Sequence, residues 1–197
     1  MPRNPRPHSE TGYYHVIARG NNKKNLFLEP ADFEHYLGLL AQYLALSGVK
    51  LIHYCLMTNH VHLLLHSEIP EAISKMMHGL QRSYVLFFRK KYGWAGHLFQ
   101  GRFKSLPIDK ESYLLECGRY IERNPVRAKM VETPAEWNYS SYGAYAAGRT
   151  IPYLSYSDAY LGLSNLQHER QALYREYLSQ SRPYEGIVDR SLAGYKR

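Results

Sequence analysis

The chain has 197 residues, and its hydrophobic share of 45% is that of a globular protein, which excludes a disordered chain. Lys and Arg total 25 against 17 for Asp and Glu, so the formal net charge of +8 favours polyanionic partners, of which nucleic acids are the commonest. The 2 cysteines have no Cys-x-x-Cys spacing, which argues against a disulfide framework and against a thiolate zinc site.

The first part of the chain predicts an arm, a strand and a basic turn. Residues 1–12 are proline-rich and basic, which indicates an extended arm and no secretory signal. No apolar run reaches the roughly 20 residues of a membrane span, so we expect a cytoplasmic protein that enters no membrane. Strand formers occupy Tyr13–Arg19, and Gly20 begins a turn. The residues here that we expect to contact DNA phosphates are Arg19, Asn21, Lys23 and Lys24, although a solvated basic turn would have the same sequence.

Periodicity predicts the next elements. Helical spacing of apolar residues indicates helices over residues 30–47 and 69–91, and strands are predicted over residues 49–57, 60–66 and 99–108. Thr58 and Asn59 join two of these strands in a tight hairpin. The order strand, helix, strand, strand, helix, strand predicts an α+β chain of ferredoxin-like (RRM-like) type, an antiparallel sheet with two helices on one face.

The third predicted strand, residues 60–66, alternates histidines with apolar residues. Because side chains alternate between faces, His60 and His62 share one face, and the apolar residues between them share the other. The third strand is central in this fold, so its apolar face packs under the two helices and its histidine face points away from them. Such a pair pre-positions two metal ligands. We expect His66 to lie too far along the strand, and His15 is a weaker alternative ligand.

A third helix is predicted over residues 110–124, with Asp109 as its cap and Pro125 as its end, because proline disfavours helical geometry at the residue before it. One face of this helix carries Tyr113, Glu116, Tyr120 and Asn124. Laid across the open sheet face, it would bring a tyrosine hydroxyl and an amide oxygen to the histidine pair. Glu116 either orients a histidine or is an ordinary exposed carboxylate, and the second interpretation is favoured.

This combination permits phosphoryl chemistry. Two imidazoles and the amide oxygen of Asn124 leave coordination positions open, which favours Mg²⁺ or Mn²⁺ over zinc. Such an ion would act as a Lewis acid on a phosphoryl oxygen. Tyr120, one turn before Asn124, would attack the phosphorus and form a phosphotyrosine ester. Tyr113 is the competing nucleophile, but Cys117 stands where an amide would be needed four residues later.

The residues that carry this chemistry resemble a known family. The segments concerned are residues 13–21, 56–64, 100–103, 120–128 and 137–142, and the resemblance covers about residues 10–145. Together they resemble the single-tyrosine transposases with a His-hydrophobic-His site, and most of all the REP-associated tyrosine transposases, which are domesticated relatives of insertion-sequence transposases. The resemblance implies metal-dependent cleavage and rejoining of single-stranded DNA near hairpin-forming elements, through a 5′-phosphotyrosine intermediate.

By position, the family's nucleophile falls on Tyr120, its histidine ligands on His60 and His62, and its polar ligand on Asn124. Some relatives have glutamine at this last place, and asparagine is shorter by one methylene group. The implied partner is single-stranded or hairpin DNA, bound by a monomer or a homodimer. Further along the chain, the basic residues that we expect to bind phosphates are Arg82, Arg102, Lys104, Arg123 and Arg127.

We expect a catalytic domain over residues 13–133 and an aromatic and helical extension over residues 134–197, with a helix at residues 164–181 and a basic end at 189–197. The aromatic residues 137–145 either pack against the sheet edge or stack on bases, and packing is favoured. Two other functions fit the sequence. One is a ferredoxin-like nucleic-acid-binding module without chemistry, and the other is a hydrolytic metal phosphodiesterase that does not need Tyr120.

Overall fold

Four strands form one antiparallel sheet in the order β2-β3-β1-β4. The computed structural model describes residues 8–110, 113–180 and 186. The strands are β1 (Tyr13–Arg19), β2 (Lys50–Met57), β3 (His60–His66) and β4 (Lys104–Ile108). The α-helices are α1 (Pro30–Ser47), α2 (Pro70–Tyr92), α3 (Leu114–Arg127), α4 (Tyr142–Ala147), α5 (Asp158–Leu161) and α6 (Gln167–Ser179). This order of strands and helices confirms the predicted ferredoxin-like fold.

The two faces of the central strand β3 enter two separate cores. Val61, Leu63 and Leu65 are fully buried in the larger core with apolar residues of α1 and α2. Leu64, on the other face, packs in a smaller core with residues of α3, among them Tyr120. The predicted assignment of the two faces is therefore confirmed, with α1 and α2 on one side of the sheet and α3 on the other.

The fourth strand is shorter than the sequence predicts. Residues 99–103 do not belong to β4, because Gly101 has a φ of 71° and the chain turns there. Phe99 instead forms an isolated bridge to Gly20, and the Gln100 amide donates to the Arg19 carbonyl oxygen over 2.8 Å. The segment before β4 therefore pairs with the last residue of β1 and with the glycine that follows it.

Helix α3 differs from its prediction at both ends. It begins at Leu114 with Tyr113 at its N-cap, so Asp109 does not cap it, and residues 111 and 112 lie outside the described part of the chain. It also continues through Pro125 to Arg127, so the predicted end at Asn124 is wrong. Proline lacks the N–H that would bond to the Ile121 carbonyl oxygen. The Asn124 side-chain nitrogen donates to that oxygen over 3.2 Å, which compensates for the missing bond.

A glycine allows α3 to lie close against the sheet. A Cβ atom at Gly118 would come within 2.4 Å of Nε2 of His53, a fully buried histidine of β2. Any larger residue at this position would push the helix away from β2.

The extension beyond residue 133 packs against the edge of β2, as favoured from the sequence. The Leu56 amide donates to the Tyr139 carbonyl oxygen over 2.9 Å, and the Ser141 amide donates to the Tyr54 carbonyl oxygen over 3.0 Å. The helix predicted at residues 164–181 is α6, and its Tyr174 and Leu178 are buried against α4 and α5. The predicted basic end and most of the predicted amino-terminal arm lie outside the described residues. In the part of the chain that is described, no helix has the length and apolar character needed to cross a membrane.

Candidate active site

His60 and His62 begin strand β3 and lie on the face that α3 covers. Their ring centroids are 4.9 Å apart. In the β1 ladder, Arg19 stands opposite His60 and Ile17 stands opposite His62. His15, two residues before Ile17, therefore shares the same face of the sheet. We call His15, His60 and His62 the histidine cluster.

Each histidine of the pair has one ring nitrogen in a hydrogen bond. Nδ1 of His62 is 2.9 Å from Nε2 of His15, which is fully buried. Nδ1 of His60 is 2.6 Å from Oδ1 of Asn59, the residue that precedes it in the turn. His15, which the sequence offered only as an alternative ligand, thus contacts a predicted ligand directly.

The environment keeps the histidine cluster uncharged at neutral pH. Burial lowers the pKa of His15 to about 3. Burial, with the nearby charge of Arg19, lowers the pKa of His60 to about 4. The pKa of His62 lies well below its usual value because of burial, the two neighbouring histidines, and the charges of Arg127 and Arg19. Neutral imidazole is the form that binds a metal ion.

Helix α3 brings Tyr120 against the histidine cluster. The Tyr120 ring centroid lies 5.8 Å from the ring of His62 and 5.8 Å from the ring of His15, both in edge-on geometry. The guanidinium carbon of Arg127 lies 4.9 Å from the same centroid. Tyr120 is only 2% exposed. Tyr113, the competing tyrosine, stands at the N-cap of α3 and is 40% exposed.

Asn124 lies one turn after Tyr120, and its amide is held by the helix backbone. Its nitrogen donates to the carbonyl oxygens of Tyr120 and Ile121 over 2.9 and 3.2 Å. Because the nitrogen is used in this way, the oxygen is the atom of the amide that remains for another partner. Because Pro125 has no N–H, the Ile121 carbonyl oxygen is free to accept from Asn124, and this bond fixes the orientation of the Asn124 side chain.

The donor chemistry fits a divalent metal ion. Within residues 8–110, 113–180 and 186, no group of three or more His, Cys, Asp or Glu side chains is arranged to hold a metal. The predicted set instead consists of two neutral imidazoles and one amide oxygen. Such mixed nitrogen and oxygen ligands suit Mg²⁺ or Mn²⁺ when water and phosphate oxygens complete the coordination sphere.

Three of the predicted DNA-binding residues adjoin the histidine cluster. Arg19 and Arg127 are close enough to lower the pKa of His62. Lys104 of β4 stands opposite Ile17, which in turn stands opposite His62, so Lys104 lies on the same face of the sheet. Burial lowers the pKa of Lys104. This end of the sheet therefore carries positive charge beside neutral imidazoles, which suits a phosphate group.

The other predicted DNA-binding residues lie elsewhere. The side chains that are exposed in the loops next to this end of the sheet are Asn21, Lys23, Lys24 and Arg102. The Lys24 ammonium lies 4.7 Å from the ring centroid of Trp94. Arg82 is exposed on α2, which covers the opposite face of the sheet. The Arg123 guanidinium donates to the Leu178 carbonyl oxygen over 2.7 Å, so this arginine contacts the last turn of α6.

A second buried polar cluster was missed by the sequence analysis. One carboxylate oxygen of Glu122 accepts hydrogen bonds from His53 Nδ1 over 2.9 Å and from Ser141 Oγ over 2.6 Å. Its other oxygen accepts from the Tyr174 hydroxyl over 3.0 Å. We call Glu122, His53, Ser141 and Tyr174 the glutamate cluster. His53 comes from β2 and Glu122 from α3, whereas Ser141 and Tyr174 come from two parts of the extension. No sequence spacing connects the four residues.

Comparisons with known proteins give one family match and two similar solved structures. Residues 8–124 match the family model described as "Transposase IS200 like". A solved structure of the REP-associated tyrosine transposase bound to a REP hairpin is 14% identical and superimposes with a TM-score of 0.62, covering 80% of this chain and 93% of that one. A putative transposase from Deinococcus radiodurans R1 is 18% identical, with a TM-score of 0.43 and coverage of 61% and 96%. No curated protein matches the chain.

Proposed function

Because the chain belongs to the family of IS200-like transposases, we propose that it cleaves and rejoins single-stranded DNA through a phosphotyrosine intermediate on Tyr120. The observation that supports this proposal most directly is the edge contact of Tyr120 with His62 and His15. Tyr120 thus contacts one member of the predicted histidine pair, His62, and also the neighbouring His15.

In the proposed cleavage step, the Tyr120 hydroxyl oxygen attacks the phosphorus of a phosphodiester. A bond forms between this oxygen and phosphorus, and the bond to the 3′ oxygen of the preceding nucleotide breaks. The phenol loses its proton, and the departing oxygen gains one and leaves as a free 3′-hydroxyl. Attack by a second 3′-hydroxyl on the 5′-phosphotyrosine ester reverses these changes and rejoins the DNA. The ester conserves the reactivity of the phosphodiester, so no nucleotide cofactor is needed.

The residues around Tyr120 would assist in different ways. His60, His62 and Asn124 would hold a divalent metal ion, whose chemistry is to polarise a phosphoryl oxygen. Arg19 and Arg127 would attract the phosphate, since both lie close to the histidine pair. Tyr120 is almost completely buried, so the DNA must displace part of its cover to bring a phosphate to the hydroxyl.

The proposed substrate is single-stranded DNA next to a hairpin, because the relative with the same fold is bound to a REP hairpin. We propose that the residues that contact its phosphates are Arg19, Asn21, Lys23, Lys24, Arg102, Lys104 and Arg127, which lie at or next to one end of the sheet. Arg82 and Arg123 are not part of this proposed surface. Residues 13–133 would form the catalytic domain, and the extension would brace α3 from behind.

A comparison of two phenylalanine variants tests the proposed nucleophile. Tyr120→Phe removes the hydroxyl and keeps the ring, and we expect it to bind labelled hairpin-flanked single-stranded DNA but to form no product. The rate of cleavage in Mn²⁺ and the yield of protein-linked DNA on a denaturing gel should both fall by at least about 10³-fold. Tyr113→Phe is the matched control, and it should cleave at the wild-type rate.

Three results would contradict the proposal. Protein-linked DNA formed by Tyr120→Phe would exclude this residue as the nucleophile. Cleavage by the wild-type protein without any protein-linked DNA would instead indicate a hydrolytic phosphodiesterase. Binding that yields no cleavage and is unchanged by a chelator would indicate a nucleic-acid-binding module without chemistry.

A further inference from the structure

The hydrogen bond between Asn59 and His60 determines which nitrogen of His60 carries the proton. The Asn59 side-chain nitrogen donates to the Lys23 carbonyl oxygen over 3.1 Å. The amide oxygen is therefore the atom that faces Nδ1 of His60, at 2.6 Å. An amide oxygen can only accept, so Nδ1 of His60 must be the donor. The neutral ring then has its lone pair on Nε2.

The backbone around Asn59 holds this arrangement in place. The Gly20 amide donates to the Asn59 carbonyl oxygen over 2.8 Å, and the Leu26 amide donates to the Thr58 carbonyl oxygen over 2.8 Å. The loop after β1 thus folds back onto the turn between β2 and β3. A Cβ atom at Gly20 would come within 2.0 Å of the Lys24 carbonyl oxygen, so this close approach requires glycine.

His15 has the corresponding relation to His62. The two rings meet through His15 Nε2 and His62 Nδ1, 2.9 Å apart, and a single proton lies between them. If that proton belongs to His62, the lone pair of His62 is on Nε2, as in His60. His15 then keeps its own proton on Nδ1, an atom that is buried and has no hydrogen-bond partner within the described residues. Two tautomers of His15 are therefore compatible with this hydrogen bond, and a metal ion held by His62 through Nε2 would select the one with the proton on Nδ1.

We propose that Asn59 and His15 are positioning residues that hold Nδ1 of His60 and of His62, so that both rings present Nε2 to a shared metal ion. This inference rests on the proposed function, because it concerns the metal site of that reaction. Partners of this kind fix the tautomer and the orientation of a metal-binding histidine, and their loss typically weakens metal binding roughly 10- to 100-fold. The loop that carries Lys23 and Lys24 would thereby be connected to a metal ligand through Asn59.

Titration of the metal-free protein with Mn²⁺, followed by the electron paramagnetic resonance signal of the free ion, tests the proposal without DNA. At each of the two positions, we compare a variant that keeps a hydrogen-bond acceptor with one of similar shape that does not. The difference between them separates the effect of the hydrogen bond from the effect of packing. His15→Gln and Asn59→Asp keep an acceptor, and they should bind Mn²⁺ within a few-fold of the wild-type Kd. Asn59→Leu lacks an acceptor and His15→Met has only a weak thioether acceptor, and the Kd of both should rise roughly 10- to 100-fold. His168→Met and Asn165→Leu, which change exposed residues far along the chain, should leave the Kd unchanged.

Imidazole ¹⁵N shifts provide a second measurement that needs no variant. In the metal-free protein, His60 should carry its proton on Nδ1. On saturation with Mg²⁺, His62 should also carry its proton on Nδ1, and the proton of His15 should move to its own Nδ1.

The inference and the proposed function fail in different experiments. Wild-type Mn²⁺ affinity in folded His15→Met and Asn59→Leu, or a proton on Nε2 of His60, would overturn the positioning role even if DNA is cut. Absence of protein-linked DNA would overturn the nucleophile even if Mn²⁺ binds as expected.

Discussion

Two buried polar clusters lie under the same helix and use their imidazoles differently. In the glutamate cluster, one carboxylate accepts three hydrogen bonds, from His53, Ser141 and Tyr174. In the histidine cluster, the imidazoles bond to one another and to the Asn59 amide, and the neighbouring charges are those of Arg19 and Arg127. The first cluster contains its own anion, whereas the second combines lone pairs with positive charge. A metal ion and a phosphate would complete the second cluster, whereas in the first both carboxylate oxygens of Glu122 already accept hydrogen bonds.

Helix α3 connects the two clusters because it contributes residues to both. Tyr120 and Arg127 lie beside the histidine cluster, and Asn124, four residues after Tyr120, shares their face of the helix by its spacing. Gly118 and Glu122 are also four residues apart, and they face β2 and the extension. The hydrogen bonds of Glu122 therefore fix the rotation of the helix, and this rotation determines where Tyr120 lies. The glutamate cluster therefore holds the helix in place, and the position of the helix brings Tyr120 to the histidine cluster.

The largest effect that we expect is on folding. Glu122→Ala leaves the buried donors of His53 and Tyr174 without their acceptor, although Ser141 can still donate to the Tyr54 carbonyl oxygen, and it should lower the free energy of unfolding by about 3–5 kcal/mol. His60→Ala, in the other cluster, should cost only about 1 kcal/mol while abolishing Mn²⁺ binding. Urea unfolding monitored by circular dichroism measures the loss of stability in each of the two variants. Equal destabilisation by the two variants would remove the distinction between a structural and a functional cluster.

The second expected effect is on the pH dependence of stability in the metal-free protein. His15 and His60 have pKa values of about 3 and 4 in the folded protein and 6.5 as free side chains. Below pH 6.5, the unfolded chain binds protons that the folded chain does not, so stability falls as the pH drops towards 4. Each such histidine contributes up to about 1.4 kcal/mol per pH unit.

Urea midpoints at pH 7, 6 and 5 measure this slope. His15→Gln removes one of the three buried histidines whose pKa values are lowered, and it should make the slope shallower by up to about 1.4 kcal/mol per pH unit, which corresponds to one proton. The charges that face the cluster, Arg19 and Arg127, oppose protonation and remain in this variant. An unchanged slope would show that His15 is not the buried neutral group that the structure indicates.

The sequence predicts the histidine cluster better than the glutamate cluster for a physical reason. Alternation along one strand brings His60 and His62 together, and helical spacing relates Tyr120 to Asn124, so both relations are local. The partners of Glu122 meet only because the extension packs back onto β2, and no local pattern carries that information. Pro125 shows the converse, since the local rule ends the helix at Asn124 and a side-chain hydrogen bond from Asn124 overrides it. The role of His15 depends on strand register, which the sequence leaves open.

The smallest effect that we expect is a difference in stability between two tyrosine variants. It compares a hydrogen bond to the Glu122 carboxylate with one to a backbone carbonyl oxygen. Tyr174 and Tyr84 are both fully buried, and each hydroxyl donates one hydrogen bond, to Glu122 over 3.0 Å and to the Leu26 carbonyl oxygen over 2.6 Å. Hydrogen bonds to charged groups contribute about 1.5–3 kcal/mol, and those between neutral groups about 0.5–1.5 kcal/mol. Tyr174→Phe should therefore destabilise the protein more than Tyr84→Phe, although the Tyr174 bond is the longer one. The reverse order would show that the Glu122 carboxylate is no stronger an acceptor here than a backbone carbonyl oxygen, and the carboxylate would then not set the glutamate cluster apart from the histidine cluster.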